Sequence, residues 1–226
     1  MNPTPSWQGE LWLASDYGLL AGTAGTTQPH AHYAHQFLIA QRGEVQALIG
    51  GQLQCAPVLV IESGVEHAIL APEQPTLTLF AEPLAFELQA VHQCCIEAGA
   101  SMERLAKRID DLPRRTLDAR LAKALHRVRA LEDETLPAEV LAREAALSIS
   151  QLERLFTGSL GVSVRRLVLW HRLRRALALA LAGSTLTAAA MAAGFSDSAH
   201  LSRSVRKQFG VRADLTLRHL RLRVLG

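Results

Sequence analysis

At 226 residues the chain is long enough for one large domain or two small ones. Its net charge of +3 conceals a split: residues 1–113 hold 4 Lys+Arg against 12 Asp+Glu and residues 114–226 hold 20 against 9, so −8 and +11 sum to the total. Three cysteines, an odd number with Cys94 and Cys95 adjacent, exclude a disulfide framework; the apolar run 176–193 is too broken for a continuous membrane span, and Met1–Pro5 lacks the basic-then-apolar order of a signal peptide, so the expected location is the cytoplasm.

In chain order, residues 10–82 hold short alternating or β-branched runs, such as Gln36-Phe37-Leu38-Ile39 and Pro57-Val58-Leu59-Val60-Ile61, separated by Gly, Pro and polar turns. Close spacing of short strands predicts a barrel or a sandwich. From about Phe86 the period changes: Leu88, Val91, Cys95, Met102, Leu105 and Ile109 recur at helical spacing, interrupted around Gly99 and ended by Pro113. That stripe either packs on the strands or forms a dimer seam.

Beyond Pro113 the pattern is helical almost throughout. Leu117, Leu121, Leu125 and Val128 mark one helix, and Pro137 opens a second that runs to about Ala146. Ser148-Ile149-Ser150 supplies caps for a third, Gln151–Thr157, and a long helix follows from about Val164 to Ala182, stopped by Gly183. Thr185 or Thr187 caps the next, through Ala193, and Asp197 caps another that reaches Phe209, with Gly210 at its C-cap.

Shifting the sequence by 49 positions superposes Leu152 on Leu201, Arg154 on Arg203, Gly161 on Gly210 and Val162 on Val211. These identities fall on a buried Leu, an outward Arg and a helix-stop Gly, which predicts a duplicated helix-turn-helix. In each unit the second helix is narrow enough to enter a major groove, with a polar face of Ser150, Gln151, Glu153 and Arg154, or of Ser198, His200, Ser202, Arg203 and Lys207. Arg pairs with guanine, Gln with adenine, and Glu153 either accepts from cytosine or holds Arg154 in place. Arg165, Arg166, Arg172, Arg174 and Arg175 on the long helix are candidates for phosphate. If that helix separates the two heads by about 34 Å, one duplex turn, a single chain reads two successive grooves. The basic half implies double-stranded DNA as partner, an acidic protein being the alternative.

The stretches Leu-Ala-Arg-Glu-Ala-Ala-Leu-Ser-Ile-Ser-Gln-Leu-Glu-Arg-Leu-Phe (141–156), Ala-Ala-Gly-Phe-Ser-Asp-Ser-Ala-His-Leu-Ser-Arg (192–203) and Gln-Phe-Gly-Val (208–211) resemble the AraC family of bacterial transcription regulators over roughly residues 118–220. The resemblance implies a seven-helix, two-headed DNA-binding domain with the Arg203 helix in the groove, and a regulator whose protein partner is RNA polymerase, a homodimer being open. Val164 and Ala213 depart from the pattern where prolines are expected, and Leu201 and Val205 where aromatics are.

In the first half, Gly25-x4-His30-x-His32-x3-Gln36-x6-Gly43 is followed by Gly51-x5-Pro57 and Gly64-x2-His67. This order is similar to the two motifs of the cupins, small β-barrels that AraC-type regulators carry as effector domains. The likeness implies that His30, His32 and His67 converge on one divalent ion, zinc, nickel, copper or iron(II), with Gln36 where a carboxylate is expected; a neutral amide is the weaker ligand. The alternative is a histidine-lined pocket for a small molecule. His35 alternates away from the trio, and Cys55, Cys94 and Cys95 read as small apolar residues.

The expected architecture is therefore multidomain α+β: a cupin-like β-barrel sensor at 1–87, a helical linker and candidate dimerisation segment at 88–113, and an all-α domain with two helix-turn-helix units at 114–226. The function that follows is sequence-specific transcription regulation under control of a small molecule or metal ion, with no catalytic residues. The competing reading is a metal-dependent cupin oxygenase or isomerase with a helical appendage, weakened by the missing acid at Gln36 and the lack of an adjacent general base.

Overall fold

The computed structural model describes residues 7–70, 74–129, 138–213 and 220–225, so Pro137 lies outside the described residues. By its contacts the chain divides into residues 1–114 together with 202–226, and residues 115–201.

The first unit opens with β1 (Trp7–Leu13), β2 (Tyr17–Ala24), β3 (His35–Ala40), β4 (Val45–Ile49), β5 (Gln52–Ala56), β6 (Val58–Ile61), β7 (His67–Ile69) and β8 (Pro75–Ala81), then α1 (Leu88–Ala98) and α2 (Met102–Asp110). Gly50 and Gly51, at φ +57° and +80°, turn β4 into β5 with a two-residue loop, the conformation that matches strand twist and that side chains disfavour. The strands form a six-stranded sheet in the order β6-β3-β8-β2-β1-β9 and a three-stranded sheet in the order β5-β4-β7, where β9 is Leu220–Val224.

Strand β3 is buried on both faces because successive side chains leave a strand on opposite sides. Phe37 and Ile39 join Leu19, Leu77, Leu79, Val91, Cys95, Met102, Leu105 and Ile109 in one core, so the periodic stripe of α1 and α2 packs on the large sheet. Leu38 faces the other way and meets Val45, Ala47, Leu59, Ile61 and Ile69 from both sheets. The architecture is mixed α+β, and its strands make two facing sheets: among the described residues no ladder closes them into the expected barrel. A single antiparallel bridge, His30 to His67, adds to the small sheet's edge.

Arg114 fastens the end of this helical pair. Its Nε donates to the buried Asp16 carboxylate at 3.0 Å, its Nη1 donates to the carbonyls of Ile109, Asp110 and Leu112, and its guanidinium lies over Phe86. Those carbonyls close the last turn of α2, where a cation also complements the helix dipole.

The C-terminal segment departs from the helical expectation. Leu220–Val224 is a strand paired in parallel with β1, and Arg223 stacks its guanidinium 4.5 Å from the Trp12 ring centre. The Leu-Arg-Leu-Arg-Val alternation suits a strand, but its partner lies at the other end of the chain.

The second unit holds α3 (Ala119–Arg129), α4 (Ala138–Glu144), α5 (Ile149–Leu160), α6 (Val164–Leu181), α7 (Leu186–Ala192) and the start of α8 (Ser198–Phe209). Leu121, Ala124, Leu125 and Val128 form the buried face of α3. On α6, Val164, Leu167, Trp170, Leu173 and Ala176 recur every three residues and are buried, which makes it a core helix of the unit. Val164 takes the first helical position, where proline is favoured, and Ser163 caps it by accepting from the Arg166 N–H. Six helices, α3 to α8, lie among the described residues beyond Pro113.

Candidate functional site

Both heads are built by capping. At the first, Ser148 and Gln151 form a reciprocal box: the Ser148 hydroxyl accepts from the Gln151 N–H at 3.2 Å and the Gln151 amide oxygen accepts from the Ser148 N–H at 2.9 Å. Helix α5 therefore starts at Ile149 rather than Gln151, and the Gln151 oxygen is engaged in its cap. Leu152 and Phe156 are fully buried while Ser150, Gln151 and Arg154 are exposed. Arg154 Nε donates to the Ser150 carbonyl at 3.2 Å, and no ion pair with the half-buried Glu153 occurs. Arg154 and Gln151 line a groove of about 300 Å³ with Arg120, Leu147 and Leu155.

At the second head Asp197 caps α8, accepting from the His200 N–H at 2.6 Å. His200 Nδ1 lies 3.1 Å from the Ser196 hydroxyl, and its ring stands edge-on to Phe195 at 5.2 Å. The imidazole is thus part of the cap. Further along, Arg203 and Lys207 are exposed, with Ser202 half-buried beside them. Arg206 is exposed at helical spacing from Arg203 and extends the same basic face; the spacing was readable in the sequence, and Arg206 was not among the expected contacts.

The repeat positions behave alike in isolation. Leu152 and Leu201 are buried, Arg154 and Arg203 exposed, and Gly161 and Gly210 stop their helices at φ +62° and +65°. The turns differ. Gly194, at φ +80°, leaves room for the Arg172 guanidinium, whose Nη2 would lie 3.0 Å from a Cβ there; in the first head Ala146 takes the left-handed conformation at φ +54°. Arg172, expected at phosphate, is instead half-buried against this turn, where desolvation lowers its pKa. Arg165 and Arg166 are exposed.

A different chemistry is assembled in the first unit. His30 and His67 exchange backbone hydrogen bonds at 2.9 Å, His32 follows two residues on, and Gln36 lies on β3 facing the small sheet. All four are buried. Ring centres lie 4.1 Å apart for His30 and His67, 5.0 Å for His32 and His67, and 5.7 Å for His30 and His32, with one nitrogen of each ring within 4.8 Å of the others.

Each ring is oriented by its own backbone. Nδ1 of His30 lies 2.8 Å from the Gln28 carbonyl, that of His32 2.9 Å from Ala34, and that of His67 2.9 Å from Val65. A carbonyl only accepts, so each Nδ1 carries the proton and each Nε2 keeps its lone pair. Burial and mutual repulsion hold the rings neutral: the pKa of His30 falls to about 4, that of His32 to about 3, and that of His67 falls by desolvation.

His32 Nε2 lies 3.0 Å from the Gln36 amide oxygen, and turning the amide over would bring its nitrogen there as a donor. The Gln36 nitrogen and His67 Nε2 are both buried with no hydrogen-bond partner. An unsatisfied buried polar atom costs about 1–3 kcal/mol, so the arrangement is one that a bound cation would relieve. Three neutral imidazole nitrogens and an amide oxygen fit a divalent transition metal. His35 is apart from the trio, its Nδ1 accepting from the Ser63 N–H, and the cysteines are elsewhere, Cys55 exposed and Cys94 and Cys95 buried.

Residues 141–219, which contain both heads, match the model of a helix-turn-helix domain family. A transcriptional regulator from Chromobacterium violaceum, described as an AraC-type DNA-binding domain-containing protein, is 31% identical over 41% of this chain and 84% of its own, with a TM-score of 0.39. ToxT from Vibrio cholerae shares the fold across the β-rich and helical halves, with a TM-score of 0.58 over 91% of this chain and 99% of its own at 8% identity. A further ToxT structure, bound to an unsaturated fatty acid, gives 0.56 over 91% and 94% at 12% identity. No curated protein matches the chain. Among the described residues no helix is long and apolar enough to cross a membrane. With two capped heads on its basic half and this identity to an AraC-type protein, the chain belongs to the AraC family of DNA-binding transcription regulators.

Proposed function

We propose that this regulator senses a divalent transition-metal ion in its β-rich unit, through His30, His32 and His67 with the Gln36 amide oxygen, and reads DNA with Ser150, Gln151, Glu153, Arg154, Ser198, His200, Ser202, Arg203 and Lys207. The observation that carries the sensor reading is the trio itself: three buried neutral imidazoles, each tied by Nδ1 to a backbone carbonyl. Such carbonyls fix tautomer and ring plane, as the outer partners of metal-bound histidines do. The ion would supply a positive charge for the three imidazole nitrogens that lie within reach of one another. With no carboxylate in the set, its charge stays uncompensated, which suits reversible binding.

Zinc(II) and cobalt(II) titrations of the full chain, followed by thermal melting, test this. A stabilisation that grows with metal, is reversed by chelator and is absent in His32→Ala supports it; an unchanged melting temperature refutes it. ToxT, which shares the fold, has been solved with a fatty acid, so a fatty acid is the comparison ligand. Stabilisation by the acid alone would replace the metal with a small-molecule effector.

At the heads both arginines are exposed, but Arg154 Nε donates to the Ser150 carbonyl and the Gln151 oxygen is held in the cap. Arg203→Ala therefore relaxes sequence preference, and Arg154→Ala weakens binding evenly and lowers the salt slope by about 1. Equal effects of both across operator variants would refute the distinction.

A further inference from the structure

The two heads end on equivalent glycines in unequal surroundings. A Cβ on Gly161 would meet nothing within 4 Å. One on Gly210 would lie 2.3 Å from the Gln28 carbonyl oxygen, 2.8 Å from His30 Nδ1 and 2.9 Å from the Gln28 nitrogen. The Gly210 carbonyl accepts from the Gln28 N–H at 3.0 Å, and the Gln28 carbonyl in turn accepts from His30 Nδ1. One residue earlier the buried Phe209 sets its ring 6.0 Å from that of His32 and edge-on to Phe80 at 5.8 Å. Residues 202–226 group by their contacts with residues 1–114.

We propose that the end of the second reading helix, Phe209 and Gly210, is one wall of the His30–His32–His67 site, so that metal occupancy and the seating of α8 form one coupled equilibrium. This rests on the reading of the trio as a metal site. A metal held by His30 fixes the plane of its ring, hence the Gln28 carbonyl that Nδ1 needs, hence the Gln28 N–H on which Gly210 is seated. Phe209 meanwhile covers His32. Whatever draws α8 off this seat must weaken metal by the same factor that metal strengthens the seat, because coupling is reciprocal.

The repeat supplies its own control. Gly161→Ala and Gly210→Ala impose the same left-handed strain at a helix stop, but only the second intrudes on Gln28 and His30. In the full chain, cobalt(II) binding is read by visible absorption and the seating of α8 by amide hydrogen exchange over residues 203–213. Cobalt(II) is expected to slow exchange there in wild type. Gly210→Ala should weaken cobalt(II) binding on the order of tenfold and abolish the slowing, while Gly161→Ala alters neither. Phe209→Leu, which keeps the apolar burial, should weaken binding in the same direction and serves if Gly210→Ala does not fold. The proposal is overturned if wild type binds cobalt(II) with no change in α8 exchange, or if Gly210→Ala and Phe209→Leu bind it as wild type does. Failure of wild type to bind zinc(II) or cobalt(II) at all overturns the metal reading itself, and the coupling with it.

Discussion

Gln36→Glu places a carboxyl where the fully buried amide oxygen lies 3.0 Å from His32 Nε2. Without metal at pH 7 the new group has three options. As an uncompensated buried carboxylate it costs several kcal/mol. Charging His32 as its counter-ion is opposed by the burial that already lowers the ring's pKa, and it leaves two charges buried. Keeping the acid protonated costs ~4 kcal/mol, from an ordinary pKa near 4.3. The last is cheapest, and the acid then donates to His32 Nε2, recovering about 1 kcal/mol. The net loss is about 3 kcal/mol, or roughly 6–12 °C in melting temperature. Its pH dependence has a definite sign: the raised folded pKa makes the variant's deficit small near pH 4 and largest at neutral pH. Bound metal removes the deficit, since the carboxylate then ligates, and cobalt(II) affinity should rise by about tenfold, ~1.4 kcal/mol. Melts and cobalt titrations at pH 5 and 7.5 decide it. A variant as stable as wild type at both pH values, with unchanged cobalt affinity, would show that Gln36 does not face the metal.

Metal-free wild type should lose stability as pH falls below 6.5, because unfolded histidines take protons that the buried trio, with pKa values near 4 and 3 for His30 and His32, refuses; about 2 kcal/mol per histidine is lost by pH 5, and a urea midpoint that is flat between pH 7.5 and 5 would contradict it. Arg114→Ala leaves the 4% exposed Asp16 without its partner and three helix-end carbonyls without their donor, so it should cost about 2–4 kcal/mol by urea unfolding. Less than 1 kcal/mol would mean that Arg114 is replaceable by water. Ala146→Gly removes left-handed strain at φ +54° and should raise the melting temperature by about 2–4 °C; a fall would mean that the unfolded-state entropy of glycine outweighs it.

What could be read beforehand was local. The Asp197 and Thr185 caps and the Gly99, Gly161 and Gly210 stops depend on a few neighbouring residues, and they formed where their chemistry predicts. The His-x-His spacing, with a later Gly-x2-His, sufficed to single out three rings that the fold brings within reach of one another. Less was legible where one side chain has two uses. Gln151 satisfies both a reading face and a capping box, and His200 both a reading face and a cap; the local hydrogen bond forms because the unsatisfied helix end is always present and DNA is not. The β9 strand escaped because alternation over five residues competes with a long helical context, and because its partner β1 lies some two hundred residues away in sequence.

The duplication makes a sharper argument than either head alone. Two copies of one motif started with the same demands: a capped N-terminus, a buried leucine, an outward arginine, a left-handed stop. Where the copies still agree, those demands explain the residue. Where they differ, something outside the motif must be acting. Gly161 in open space is explained by its helix alone, since alanine would cost it only the strain of a left-handed residue. Gly210 is over-determined, because even a residue content with φ +65° would collide with Gln28 and His30. The second copy therefore carries a constraint that the first does not, and that constraint points at the histidines. A regulator needs some part of its DNA-binding apparatus to register the state of its effector site. In this chain the place where the motif's own rules run out, at Phe209 and Gly210, is also where the reading helix touches the trio.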